Sequence, residues 1–135
     1  MINKAKNNLV AAQRIIDAND ASICFASIHC SYYAVFQYMK YILAHLVTRP
    51  YTYEQQDSNE KSGSHERILL EIQNRLEMKR EDERNFKYSF DMLKKQRKMA
   101  DYTDATFTVE DCIDARDLAV RLCSTLDSQF KKKIS

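Results

Sequence analysis

The sequence predicts an all-α domain, an up-and-down antiparallel four-helix bundle with one additional helix. Three observations predict it. The 135 residues hold one Gly and one Pro, where average usage would give roughly nine and seven. Those residues supply the special backbone angles of hairpins and tight turns, so their scarcity argues against sandwiches, barrels and many-stranded folds. Apolar residues recur at helical rather than alternating spacing. The length suits one domain, since domains most often run about 100 to 150 residues, and residues 1–135 are read as one unit.

The first helix is expected from Asn3 to Ala18, with Leu9, Ala12, Ile15 and Ile16 on one side and Lys6, Asn7, Gln13 and Arg14 largely off it. Asn19-Asp20 offers a stop and a new cap. Asp20 or Ser22 can accept from the first N–H groups of a second helix reaching Leu46 or Val47. That helix is apolar almost all round, from Ile23 through Tyr33, Phe36 and Met39 to Leu43. So wide an apolar arc makes it either the central rod of the bundle or the bearer of a face for a partner subunit.

Thr48 to Gly63 reads as the one long loop, because it holds the only Pro, the only Gly and the polar cluster Asp57-Ser58-Asn59-Glu60. Loops above about 12 residues are often functional. Ser62 or Ser64 can cap the third helix, which runs to Met78 with Ile68, Leu69, Ile72 and Leu76 inward. Lys79 to Glu83 reads as a charged joint. The fourth helix carries Phe86, Phe90, Leu93, Met99 and Ala100 and ends near Tyr102. After a connection from Thr103 to Phe107, Thr108 with Asp111 three residues on begins the fifth. Its inner positions are Ile113, Ala119, Val120, Leu122, Cys123, Leu126 and Phe130.

Charge is nearly balanced, with 21 Lys and Arg against 19 Asp and Glu. Two local clusters, Lys94-Lys95-Gln96-Arg97-Lys98 and Lys131-Lys132-Lys133, could sit beside phosphates or form a solvated helix face and a basic end. Cys24, Cys30, Cys112 and Cys123 form no Cys-x-x-Cys pair, and read as buried thiols of a cytoplasmic protein. The stretch from Ile23 to Val47 is interrupted by His29, Ser31, Gln37, Lys40 and His45, which excludes it as a membrane span. Gly63 alone leaves no P-loop and no dinucleotide fingerprint. No carboxylate, His or Cys cluster has ligand spacing, so neither metal nor other cofactor is expected.

Three segments carry the functional reading: Ser31-Tyr32-Tyr33-Ala34-Val35-Phe36 in the second helix, Ser64-His65-Glu66 opening the third, and Arg97-Lys98-Met99-Ala100-Asp101-Tyr102 ending the fourth. In this order and spacing the chain resembles the HEPN domain family (higher eukaryotes and prokaryotes nucleotide-binding), in its small stand-alone prokaryotic branch. The resemblance implies a dimeric bundle. Some members are metal-independent ribonucleases, including toxins paired with nucleotidyltransferase antitoxins, and others bind RNA or nucleotides without catalysis. Nuclease members carry Arg followed four to six residues later by His. Arg can stabilise phosphate charge, while His can move a proton to or from the ribose 2′-OH or the leaving oxygen.

Here the positions four to six after Arg97 are Asp101, Tyr102 and Thr103, and no His follows His65. An Asp near pKa 3.9 is a poor acid at pH 7, and a Tyr near 10 a poor base. The resemblance therefore implies a module that forms a homodimer and binds RNA, a nucleotide or a nucleotidyltransferase-like partner, without ribonuclease activity. The alternative is a divergent, toxin-like ribonuclease using Arg97 with Asp101 or Tyr102. The candidate ligand-binding residues are Arg97, Lys98, Asp101, Tyr102, Tyr32, Tyr33 and His65. Arg97 and Asp101, one turn apart, suit either an intrahelical ion pair or a groove in which Asp101 fixes a phosphate-binding guanidinium. Of Tyr32 and Tyr33, about 100° apart, one is expected in the core and the other at a cleft or dimer seam. His29 is expected to be buried and hydrogen-bonded.

Overall fold

The computed structural model describes residues 1–58 and 63–130, and within them all regular structure is helical. The elements are α1 (Ile2–Asp17), α2 (Phe25–His45), α3 (Tyr53–Ser58), α4 (Ser64–Gln73), α5 (Arg80–Tyr102) and α6 (Val109–Phe130). The chain is thus the helical bundle its composition predicts. Lys131-Lys132-Lys133, Asn59, Glu60 and the candidate cap Ser62 lie outside the described residues. Among the described residues no helix is long and apolar enough to cross a membrane.

The apolar arc of α2 is explained by its place. It touches every other helix, and Ile28, Tyr32, Val35, Met39, Ile42 and Leu43 are completely buried along it. Of the two alternatives for this helix, the central rod holds for its middle and end; of its large apolar residues only Phe25, near its start, stays exposed. The side-chain pairings fix its directions. His29 meets Asp101 and Tyr32 meets Phe90, so α5 runs antiparallel to α2. Cys112 donates to the Cys24 carbonyl and Tyr38 to Asp127, so α6 runs parallel to it.

The turns show how local chemistry sets the ends. Asn19, at φ 50°, takes the left-handed conformation between α1 and α2, which Asn tolerates better than most residues. Asp20 does accept from the Ser22 N–H at 2.9 Å, but it organises a turn over residues 20–24, and α2 proper begins at Phe25. Thr108 and Asp111 exchange backbone-to-side-chain bonds of 2.9 and 3.0 Å, the capping box expected at the start of the last helix.

Four expectations are corrected. The Thr48–Gly63 segment contains a short helix, α3, because Thr52 and Gln55 form a second capping box, with bonds of 2.9 and 3.2 Å. The third predicted helix stops at Gln73 rather than Met78: the chain tightens after Asn74, and Gln129 Oε1 captures the Glu77 N–H at 2.8 Å. The charged joint is largely the first turn of α5, where Glu81, Asp82 and Glu83 complement the positive end of the helix dipole. Gly63, at φ 94°, is the residue preceding α4, so Ser64 is the first helical residue and makes no side-chain cap.

Candidate functional site

The C-terminal turns of α5, the middle of α2 and the start of α4 converge on Arg97. This residue is only 5% exposed, an uncommon position for a guanidinium without a strong partner. Its Cζ lies 4.8 Å from the Tyr32 ring centroid, 5.5 Å from Tyr33 and 5.9 Å from Tyr102, three cation–π contacts around one charge. Its nearest carboxylate oxygen, Asp101 Oδ2, is 3.6 Å from Nη1, within ion-pair reach but beyond a hydrogen bond. Its Nε is buried with no hydrogen-bond partner among the described residues. Arg97 is therefore held by aromatic faces, with its hydrogen-bonding capacity partly unused.

Tyr32 and Tyr33 divide as their angular separation requires. Tyr32 is wholly buried and its hydroxyl is hydrogen-bonded to His65 Nδ1 at 2.5 Å, while Tyr33 is half-buried and lines a cavity. Burial raises the Tyr32 hydroxyl well above the ordinary tyrosine value, so it stays protonated. His65 packs against two rings with its plane nearly parallel to both, stacked on Phe36 at 4.1 Å and 5.7 Å from Tyr32. Burial first, then the positive charges of Arg97 and Lys94, push its pKa down to about 4. At pH 7 the imidazole is neutral. With Nδ1 engaged by the Tyr32 hydroxyl, Nε2 is the ring nitrogen left to meet a ligand.

Gly63, Ser64, His65 and Glu66 at the start of α4, with Lys94, Arg97 and Lys98 of α5, line a recess of about 280 Å³. Lys94 bonds to Glu66, and that bond holds the Glu66 carboxyl below its usual range. Lys98 is exposed at the rim. Three basic side chains, a neutral imidazole and a helix N-terminus face one acidic group, an arrangement suited to an anion.

Asp101 turns its carboxylate mainly to His29, whose Nδ1–H donates to Oδ2 at 2.8 Å. His29 is hydrogen-bonded as expected but not buried: its side chain is 47% exposed, because this part of α2 faces solvent beside the end of α5. The structure thus brings Arg97, Lys98, Asp101, Tyr102, Tyr32, Tyr33 and His65 into one region, and adds His29 and Lys94. Tyr102 is its outermost member at 76% exposure. No group of His, Cys, Asp and Glu among the described residues could hold a metal ion. Comparison with protein-family models, with curated proteins and with solved structures finds no match to this chain.

Proposed function

We propose that the chain is a HEPN-type helical module that binds the phosphate of RNA or of a free nucleotide in the Arg97 recess, without cleaving it. The observation that carries this reading is the buried Arg97, caged by three aromatic rings and with its Nε unpaired among the described residues. A phosphate accepting from that guanidinium and from Lys98 would satisfy both, and Tyr102 offers an exposed ring for a base. His65 supports binding over catalysis, since its Nδ1 is occupied by the Tyr32 hydroxyl and a pKa pushed down to about 4 makes the ring a weak proton acceptor.

Salt-dependent binding of single-stranded RNA tests this. Lys98→Ala, at an exposed position, is expected to weaken binding several-fold and to reduce the slope of log K against log salt by about 0.7, with stability unchanged. Undetectable binding by both proteins at low salt would overturn the reading. Self-association belongs to the same proposal. Its support is the outer face of α5, where Tyr88, Met92 and Met99 stand exposed at helical spacing. Sedimentation at micromolar concentration tests it, and a clean monomer would refute it. A nucleotidyltransferase-like partner remains part of the reading; its test is co-purification with the product of a neighbouring gene of that type.

One observation favours ribonuclease activity as a second reading. Asp101 holds His29 by Nδ1 and leaves Nε2 as a base, while the same Asp101 oxygen is 3.6 Å from Arg97. Cleavage of RNA by the purified chain, abolished in His29→Gln, would support it. RNA left intact over long incubation would exclude it.

A further inference from the structure

A second cavity, of about 300 Å³, adjoins the Arg97 recess and shares Ser64 and His65 with it. Its lining contains an unmet hydrogen bond. Gln56 of α3 is 4% exposed, and its Nε2 donates to the carbonyls of Lys40 at 3.0 Å and Tyr51 at 2.8 Å. Both partners are acceptors, so the amide can take only one orientation. Its Oε1 is then a fixed acceptor, buried and without a partner among the described residues. A buried acceptor left empty is costly, and native structures keep few of them.

The second polar group has the opposite sense. Gln37 Oε1 accepts from Asn8 Nδ2 at 2.8 Å, which turns its Nε2 into the available donor. Tyr33, Phe36 and Ile68 supply apolar walls. An acceptor, a donor and flat apolar walls match the edge and faces of an aminated heterocycle, and an aliphatic ligand would leave the Gln56 oxygen unsatisfied. Ser64 and His65 line both this cavity and the recess, so a base in one and a phosphate in the other could belong to one nucleotide.

We infer that this cavity is a nucleobase pocket selective for a base with an exocyclic amine, such as adenine. The amine donates to Gln56 Oε1, and Gln37 Nε2 donates to a ring nitrogen. The inference rests on the phosphate reading above in placing the same nucleotide's phosphate beside Arg97.

Calorimetric titration of the full chain with AMP, IMP and ribose 5-phosphate tests it. AMP is expected to bind at least about tenfold more tightly than ribose 5-phosphate. IMP, which sets a carbonyl against the Gln56 oxygen, is expected to fall back toward the ribose 5-phosphate value. Gln56→Met should equalise AMP and IMP while leaving ribose 5-phosphate binding intact. If that variant does not fold, Gln37→Met, on the half-buried side of α2, should narrow the AMP advantage in the same way. Equal binding of AMP and IMP by the unaltered chain would overturn the pocket. The two readings fail separately: binding of ribose 5-phosphate without AMP preference sinks the pocket alone. Binding of adenosine over inosine without ribose 5-phosphate binding supports the pocket and sinks the phosphate reading. Absence of binding by AMP and adenosine alike overturns the pocket.

Discussion

Acidification is expected to weaken the fold through His65, and the size of the effect follows from its surroundings. Its folded pKa of about 4 lies below the ordinary value of 6.5, owing to burial and then to Arg97 and Lys94, with Glu66 opposing and Lys98 adding to the depression. A group with a depressed folded pKa binds more protons when unfolded. Its stabilising contribution is therefore complete above pH 6.5 and is lost as pH falls toward 4. The full difference corresponds to a ceiling of roughly 3 kcal/mol. His65 is only half-buried and borders an open recess, so solvent screening reduces this to about 1.5 kcal/mol. Urea unfolding at pH 7.5, 6.5, 5.5 and 4.5, for the unaltered chain and for His65→Gln, isolates the effect from carboxylates that titrate in both. Gln keeps an acceptor for the Tyr32 hydroxyl. The stability gap between the two proteins should shift by about 1 kcal/mol in favour of the variant between pH 6.5 and 4.5, the larger part of that effect. Parallel curves would refute the placement of a neutral imidazole beside Arg97.

Three further outcomes are expected. Leu93→Ala, which empties a fully buried site on α5, should cost about 3 kcal/mol by denaturant unfolding, and a loss under about 1 kcal/mol would contradict its burial. Gly63→Ala should cost about 1 kcal/mol because of the positive φ alone, since the added Cβ meets nothing closer than Glu66 Oε2 at 3.9 Å; Gly63→Asn should cost less. Burial pushes Cys112 and Cys123 up to about 12 and raises half-buried Cys30 less far, so a thiol reagent at pH 8 should label the native chain slowly and at Cys30 first. Rapid labelling of all four cysteines would show that the packing around α6 is looser than described.

The helices that were legible in the sequence are those whose signals are local. The Asn19-Asp20 stop and the Thr108–Asp111 box each lie within a few residues, as does the apolar periodicity of α1 and α6. The Thr52–Gln55 box is a signal of the same kind, but it sits among Pro50, Asp57 and Ser58, whose composition reads as loop. The end of α4 was hidden because Gln129, fifty-two residues away, receives the Glu77 N–H. The site divides on the same line. Tyr32, Tyr33, His65, Arg97, Lys98, Asp101 and Tyr102 stood out as short segments, and the fold gathers those segments together. The hydrogen bond from His29 to Asp101 joins residues seventy-two apart, and nothing around His29 in the sequence announces it. The orientation of Gln56 depends on the Lys40 and Tyr51 carbonyls, so an oxygen without a partner among the described residues is visible only after folding.

Tyr32 lies in the first half of the rod on which every other helix leans, and its hydroxyl and ring reach His65 and Arg97 directly. A ligand that steadies this one side chain would tighten the whole molecule at once. Amide hydrogens of α1 and α6, far from the recess, would then exchange more slowly in step with those of α4 and α5, because all share one opening event. Recognition and cohesion in this chain would be measured by the same slow exchange.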